Sequence, residues 1–207
     1  MRRNAIVTVV VVIALLALGS QIAIPAYVSS KVEDRLTENG GTAHAEVHAF
    51  PAVGLIGGNG DSIEVTGRDL NFDFPNADTD AFDRLDGFDE VDATLTNLTT
   101  GPFKVDRFEL KRADGENAYR MVVEASSTGS QLAEYAGGQI GGRFGGLFQR
   151  LAPGLVPFGD EPVPVSIDAR VRSDDGRAVV VQASGDVAGL PAGPLAETIA
   201  GTVAARL

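Results

Sequence analysis

The chain has 207 residues, a net charge of −11 and no cysteine. Arg2 and Arg3 are the only charged side chains before residue 26, so removing these two cations leaves −13 on the part that follows. This acidity disfavours nucleic-acid binding, and the lack of cysteine excludes disulfides, thiol-ligated metals and a lipidated cysteine. About 180 residues lie beyond the N-terminal segment, enough for one domain with a sizeable core.

The first 25 residues are typical of a membrane-targeting segment. An uncharged, largely apolar run extends from Ala5 to Ile24 behind the two arginines. As a helix it would reach roughly 30 Å, the thickness of the bilayer's hydrocarbon core. Basic residues ahead of such a run keep the N-terminus in the cytoplasm. We therefore expect residues 1–25 to be a signal anchor or signal peptide and residues 26–207 to form an extracytoplasmic α+β domain.

Three interpretations of this segment remain open: an uncleaved anchor, a cleaved signal peptide, and a buried helix of a soluble protein. An uncleaved anchor fits the length of the run and predicts a single-pass protein of the cell membrane, with its C-terminal domain outside the cytoplasm. A cleaved signal peptide needs small residues before the cut, and Ala17-Leu18-Gly19 provides a passable site. Cleavage would release the domain into the cell envelope.

Beyond the targeting segment, the sequence predicts a helix and then mostly strands. Residues 26–39 place apolar side chains on one helical face and end at Gly40-Gly41. Alternating patterns predict strands at 42–50, 63–74 and 90–98, and hairpins that pair 105–112 with 119–126 and 163–173 with 177–184. Such alternation favours an antiparallel sheet with one face in water. Two further helices are expected at 129–151 and 193–207.

The segment from residue 137 to residue 146 contains three glycine pairs, Gly137-Gly138, Gly141-Gly142 and Gly145-Gly146. Six glycines cost a helix roughly 5–6 kcal/mol relative to alanine, so an isolated helix would not be stable here. The segment either packs closely against another backbone or a lipid, forms a flap over an apolar cavity, or is a loop with scattered apolar residues. It is not a phosphate-binding loop, because no Lys-Ser/Thr pair follows the glycines.

No catalytic constellation stands out from the sequence. His44, Glu46 and His48 share one face of a predicted strand, but successive residues on that face lie about 7 Å apart, too far for one zinc ion. We interpret them as a solvent-facing row, in preference to the site of a metal-dependent hydrolase. The acidic residues between 78 and 90 are interpreted as a solvated loop. We expect no enzyme activity, no metal and no cofactor.

The stretch from Val32 to Leu70 resembles the lipomannan elongation factor A-like family of actinobacterial envelope proteins. A short helix leads to an alternating strand, Phe50-Pro51, an apolar segment closed by glycines (Val53, Leu55, Ile56), and then Ile63-Glu64-Val65 with Gly67. The resemblance extends to a middle helical region at residues 132–135 and covers most of the exported domain. The glycine-pair repeat and the helical C-terminus depart from the family pattern.

The resemblance implies an N-terminal membrane helix followed by a curved antiparallel sheet packed on one or two helices, similar to tubular lipid-binding proteins. It implies binding of phospholipid or glycolipid in an apolar groove, in support of the assembly or maintenance of envelope glycolipids. The alternative is a non-enzymatic structural or partner-binding module of the envelope. The residues predicted to line the groove are Phe50, Leu55, Ile56, Phe72, Phe144, Leu147, Phe148 and Leu151.

Overall fold

The computed structural model describes residues 2–72, 82–101, 103–131, 160–187 and 190–191, with side chains from residue 18 to residue 185 of those ranges. Helix α1 spans Arg2–Leu36, a 3-10 helix spans Ala52–Gly57, and the short helix α2 spans Asp83–Asp86. The strands are β1 (Thr42–His48), β2 (Gly60–Arg68), β3 (Asn71–Phe72), β4 (Phe88–Thr100), β5 (Phe103–Arg112), β6 (Tyr119–Thr128), β7 (Pro162–Asp174), β8 (Arg177–Ser184), β9 (Asp186–Val187) and β10 (Leu190–Pro191).

The strands of the described residues form one curved, open sheet. Its order is β1-β2-β4-β5-β6-β7-β9-β10, with β3 beside β4 and β8 beside β7. Both predicted hairpins, β5–β6 and β7–β8, are present and antiparallel. Most strand pairs are antiparallel, as predicted, but the sheet is mixed, because β2 and β4 run parallel with Ile63 opposite Val91. Residues 69–87 connect them, and a connection of this length can return the chain to the end of the sheet from which β2 starts.

A local irregularity divides the single strand that the sequence predicts at 63–74. Asp69 has a φ of 58° and Asn97 a φ of 50°, and the Asn97 side-chain amide donates a hydrogen bond to the Asp69 carboxylate. Because Asp and Asn adopt positive φ at a lower cost than most residues, the segment after β2 and the neighbouring part of β4 can bend together here. Pairing with β4 then resumes, as the Thr99 N–H donates to the Leu70 carbonyl at 2.9 Å.

Burial follows the alternation that the sequence predicts. Every second side chain along most of β4, β5, β6 and β7 is buried, while its neighbours face outward. The inward residues form one core cluster that includes Val91, Leu95, Val105, Phe108, Leu110, Met121, Val123, Val165 and Ile167, together with Val32 and Leu36 of α1 and Leu85 of α2. The core therefore lies on one face of the sheet, with the end of α1 packed against it.

Helix α1 continues without a break across the predicted boundary between residues 25 and 26, with Pro25 inside it. Its last turns contact β1 and the 3-10 helix. No helix among the described residues has the length and the hydropathy that a membrane crossing requires, so the predicted membrane helix is not confirmed. The helices predicted at 129–151 and 193–207 lie outside the described residues, apart from residues 129–131.

Candidate functional site

A groove of about 250 Å³ lies where α1, the 3-10 helix, β2, α2 and the start of β4 meet. Its lining residues come from three separate stretches of the chain, 27–35, 55–63 and 84–88, so only the tertiary fold brings its walls together. Its lining combines apolar and basic side chains and no acidic ones: Tyr27, Val28, Lys31, Val32, Arg35, Leu55, Gly58, Ile63, Arg84, Leu85 and Phe88.

Helix α1 forms one wall of the groove because its side chains repeat at helical spacing. Val28, Lys31, Val32 and Arg35 are three or four residues apart, so they lie on one face of the helix. Val32 is 4% exposed and anchors this face to the core, whereas Val28 is only partly buried. The wall is therefore apolar toward the sheet and basic toward solvent.

The floor of the groove is apolar and closely packed. Four elements each contribute one buried side chain to it: Leu55 from the 3-10 helix, Ile63 from β2, Leu85 from α2 and Phe88 from β4. Gly60 permits this packing, because a Cβ at that position would lie 2.5 Å from Phe88 Cε1 and 3.0 Å from Leu55 Cδ2. The floor thus depends on a small residue at the start of β2.

Basic side chains give the border of the groove a local positive charge. Lys31, Arg35 and Arg84 are exposed, and the Lys31 ammonium lies 5.8 Å from the centre of the Tyr27 ring. Within the described residues, no carboxylate oxygen lies within the 4.0 Å of an ion pair from any of the three cations. Asp34 and Glu38 line an adjoining depression on α1, which shares Tyr27, Lys31 and Arg35 with the groove. The groove is therefore a cationic site in an acidic domain.

A polar cluster holds α2, and with it Arg84 and Leu85, in place. The Tyr119 hydroxyl donates to Asp86 Oδ1 at 2.9 Å, and the Ser173 hydroxyl donates to the other oxygen of that carboxylate. Arg112 donates from Nη2 to the Leu85 carbonyl at 3.1 Å and stacks 4.6 Å from the Tyr119 ring centre. Burial raises the pKa of Tyr119 well above its ordinary value, so the hydroxyl stays protonated as a donor.

The residues predicted to line a lipid site are distributed between several environments. Leu55 lies in the groove. Phe72 is buried in the core with 1% exposure, while Phe50 and Ile56 point outward with 82% and 75% exposure. Phe144, Leu147, Phe148 and Leu151 lie outside the described residues, so the predicted set as a whole stays a prediction.

Sequence reasoning missed most of the groove. It identified the apolar face of residues 26–39 but assigned no role to Lys31 and Arg35, and it did not single out Arg84 or Phe88. Helical spacing could have placed the two α1 cations beside Val28 and Val32. Nothing in the sequence indicates that α2 lines the same groove as α1, because that arrangement depends on the parallel return from β2 to β4.

The row His44, Glu46 and His48 faces solvent, as predicted. His44 Nδ1 lies 2.9 Å from Glu33 Oε1, and His44 Nε2 lies 3.3 Å from Glu46 Oε1. The hydrogen bond with Glu33 raises the pKa of His44, and that with Glu46 adds to the shift. Among the described residues, no group of three metal-ligating side chains is close enough to hold a metal ion.

Comparison with known families identifies the chain. A model of the LmeA-like phospholipid-binding family matches residues 19–207, which include every residue that lines the groove. The chain belongs to the LmeA-like phospholipid-binding family. This finding confirms the resemblance drawn from the residues between Val32 and Leu70. Neither the curated proteins nor the solved structures gave a significant match.

Proposed function

We propose that this LmeA-like chain binds a phospholipid through the groove between α1, the 3-10 helix and α2. The observation that carries the proposal is the combination of an apolar floor with three cations that have no carboxylate partner among the described residues. A phospholipid has the complementary chemistry, with acyl chains beside an anionic phosphate. Family membership supports lipid as the ligand class.

The apolar floor would accept acyl chain, and contact with it is worth roughly 25 cal/mol for each Å² removed from water. The groove volume of about 250 Å³ is smaller than the roughly 300–1,000 Å³ of pockets that enclose a whole drug-sized ligand. We therefore assign to the groove the glycerol-proximal part of one lipid, not a complete molecule.

The cations would hold the phosphate. Arginine guanidinium groups bind phosphate oxygens through paired hydrogen bonds, and lysine contributes a point charge. Arg35 from α1 and Arg84 from α2 line the same groove from different elements. A headgroup between them would also tie α2 to α1, so ligand binding would stabilise the fold by mass action.

We propose a binding role and no catalysis, because the family description names a ligand and not a reaction. The proposed setting is the outer side of the cell membrane or the cell envelope, as the apolar, arginine-preceded N-terminus suggests. Support of envelope glycolipid assembly or maintenance is the proposed biological role, and the family resemblance is its only support.

The test is native mass spectrometry and lipid extraction of the full chain purified in mild detergent. We expect co-purified phospholipid in the wild type and its loss in Val28→Trp, which fills the groove. The matched control is Val181→Trp, since Val181 is exposed on β8 outside the groove. Lipid-free wild-type protein, or equal lipid retention in both variants, would contradict the proposal. Lipid-free protein that cross-links to one stoichiometric partner would favour the partner-binding alternative.

A further inference from the structure

Exposed apolar side chains concentrate on two adjoining elements. Among the described residues, seven large hydrophobic side chains are exposed, and six of them lie on α1 or on the segment that carries the 3-10 helix. We call these six the apolar surface: Leu18, Ile22, Tyr27, Phe50, Val53 and Ile56, with exposures from 55% to 82%. The seventh is Val181 on β8. Scattered exposure needs no explanation, but such concentration marks an interaction site.

The two halves of the apolar surface are held together. The Ala52 N–H donates to the side-chain oxygen of Gln21 at 3.0 Å, and Ala52 is fully buried. Gln21 precedes Ile22 on α1, and Ala52 precedes Val53 on the 3-10 helix. Ile22 of α1 and Val53 of the 3-10 helix are therefore held near the same level along α1.

The apolar surface is also free of charge. Residues 18–27 (LGSQIAIPAY) and 49–60 (AFPAVGLIGGNG) contain no Asp, Glu, Lys, Arg or His, although 22% of the chain is charged. A surface of this kind meets no electrostatic penalty on entering an apolar phase. The domain carries a net charge of −13, which repels a second copy of the chain. The same charge does not repel a neutral lipid layer.

We infer that the apolar surface docks on a lipid bilayer, with Phe50, Val53 and Ile56 entering the boundary between headgroups and acyl chains. The sequence of α1 supports this occupant, because the uncharged run from Ala5 to Ile24 leads directly into the surface. Interfacial binding through one apolar face requires no helix that spans the membrane. It also does not depend on the groove being occupied.

Side chains further along α1 match the layers of a bilayer surface. Tyr27 is the last residue of the apolar surface along α1, and tyrosine is enriched at the level of the headgroups. Lys31 lies four residues later, about 6 Å along the axis, where lipid phosphates would be. The 3-10 helix carries Leu55 in the groove and Ile56 on the apolar surface. Docking would therefore place the groove beside the lipid layer from which a ligand enters.

The chain contains no tryptophan, so a single introduced tryptophan reports its own surroundings. The full chain carrying Phe50→Trp or Ile56→Trp is mixed with phosphatidylcholine vesicles whose acyl chains are brominated. Neither position lines the groove, so a lipid bound there is not what is measured. The matched control is Val181→Trp, at 59% exposure on β8. We expect blue-shifted emission and several-fold stronger quenching at positions 50 and 56 than at position 181.

Equal quenching at all three positions, or none at positions 50 and 56, would overturn the inference. Concentration-dependent self-cross-linking through residues 50–56 without bromine quenching would overturn it in favour of a second copy of the chain. Lipid extraction of the same variants before any vesicles are added reports separately on the groove. A chain that retains phospholipid but shows no quenching at positions 50 and 56 would remove the docking surface and leave the proposed function intact.

Discussion

Single polar side chains join the helices to the sheet. Glu33 Oε1 accepts a hydrogen bond from the Ala45 N–H at 2.9 Å and also contacts His44 Nδ1 at 2.9 Å. One carboxylate thus connects the end of α1 to the backbone and a side chain of β1. Asp86 has the corresponding role at α2, where it accepts from Tyr119 and Ser173.

The Glu33 contact predicts a shifted titration of His44. We expect a His44 pKa above the ordinary histidine value of 6.5, and we expect Glu33→Gln to lower it more than Glu46→Gln does, because the bond with Glu33 is the larger cause. Because the folded-state pKa is raised, the stabilisation that His44 contributes is present below pH 6.5 and is lost as the pH rises through the folded pKa. NMR titration of the imidazole checks this. An unshifted wild-type pKa would contradict the hydrogen bond.

The Tyr119 hydroxyl predicts a measurable contribution to stability. Tyr119→Phe removes the donor to Asp86 and should lower the free energy of unfolding by about 1 kcal/mol. Tyr27→Phe is the control, because Tyr27 is 65% exposed and should change stability by less than about 0.5 kcal/mol. Chemical denaturation measures both. Equal effects would show that the Asp86 cluster does not hold α2.

At the scale of elements, α1 is fixed to the domain by the apolar face of its last turns. Val32 and Leu36 are buried in the core, while the groove cations Lys31 and Arg35 are exposed on the adjoining part of the helix. The same turns therefore provide both the anchor and one wall of the groove. Gly40 and Gly41, at φ of 102° and 91°, then turn the chain into β1.

Loss of this anchor should be costly. Leu36 is 0% exposed, and Leu36→Ala is expected to lower the free energy of unfolding by about 2–5 kcal/mol, because it removes buried methyl groups and leaves a cavity. Val181→Ala, at an exposed site on β8, should cost less than about 0.5 kcal/mol. Thermal or denaturant unfolding compares them. A Leu36→Ala effect as small as the control would show that α1 does not depend on this packing.

At the scale of the whole molecule, net charge and local charge have opposite signs. The domain beyond residue 26 carries −13, yet the described groove is lined by three cations and no carboxylate. Acidity of the domain excludes broad attraction to anionic bilayers, but it does not exclude recognition of one phosphate. The groove that would recognise the phosphate and the net negative charge of the domain surface are thus separate features of the molecule.

This separation predicts a salt-sensitive preference for anionic lipid. Arg35→Gln combined with Arg84→Gln should weaken binding of an anionic phospholipid about tenfold, since each exposed charged contact is worth roughly 0.5–1 kcal/mol. Raising the salt from about 0.1 M to 1 M, which shortens the screening length from about 10 Å to 3 Å, should reduce the wild-type preference similarly. Arg120→Gln is the control, because Arg120 pairs with Asp168 on the outer face of the sheet. Vesicle-to-protein transfer of labelled lipid measures the effect, and a loss with Arg120→Gln of the same size would contradict it.

The sequence by itself determined most of the longer strands, the two hairpins and the inward face of the sheet, because alternation records which side chains leave water. It also determined the solvent-facing position of His44 and His48, and short apolar motifs indicated the family. The tertiary structure decided the parallel return from β2 to β4, which no local pattern encodes because it depends on how residues 69–87 cross. That return brings Arg84, Leu85 and Phe88 to α1 and so creates the groove. Lys31 and Arg35 have the spacing of an ordinary solvated helix face. They belong to a candidate binding site only because α2 lines the same groove.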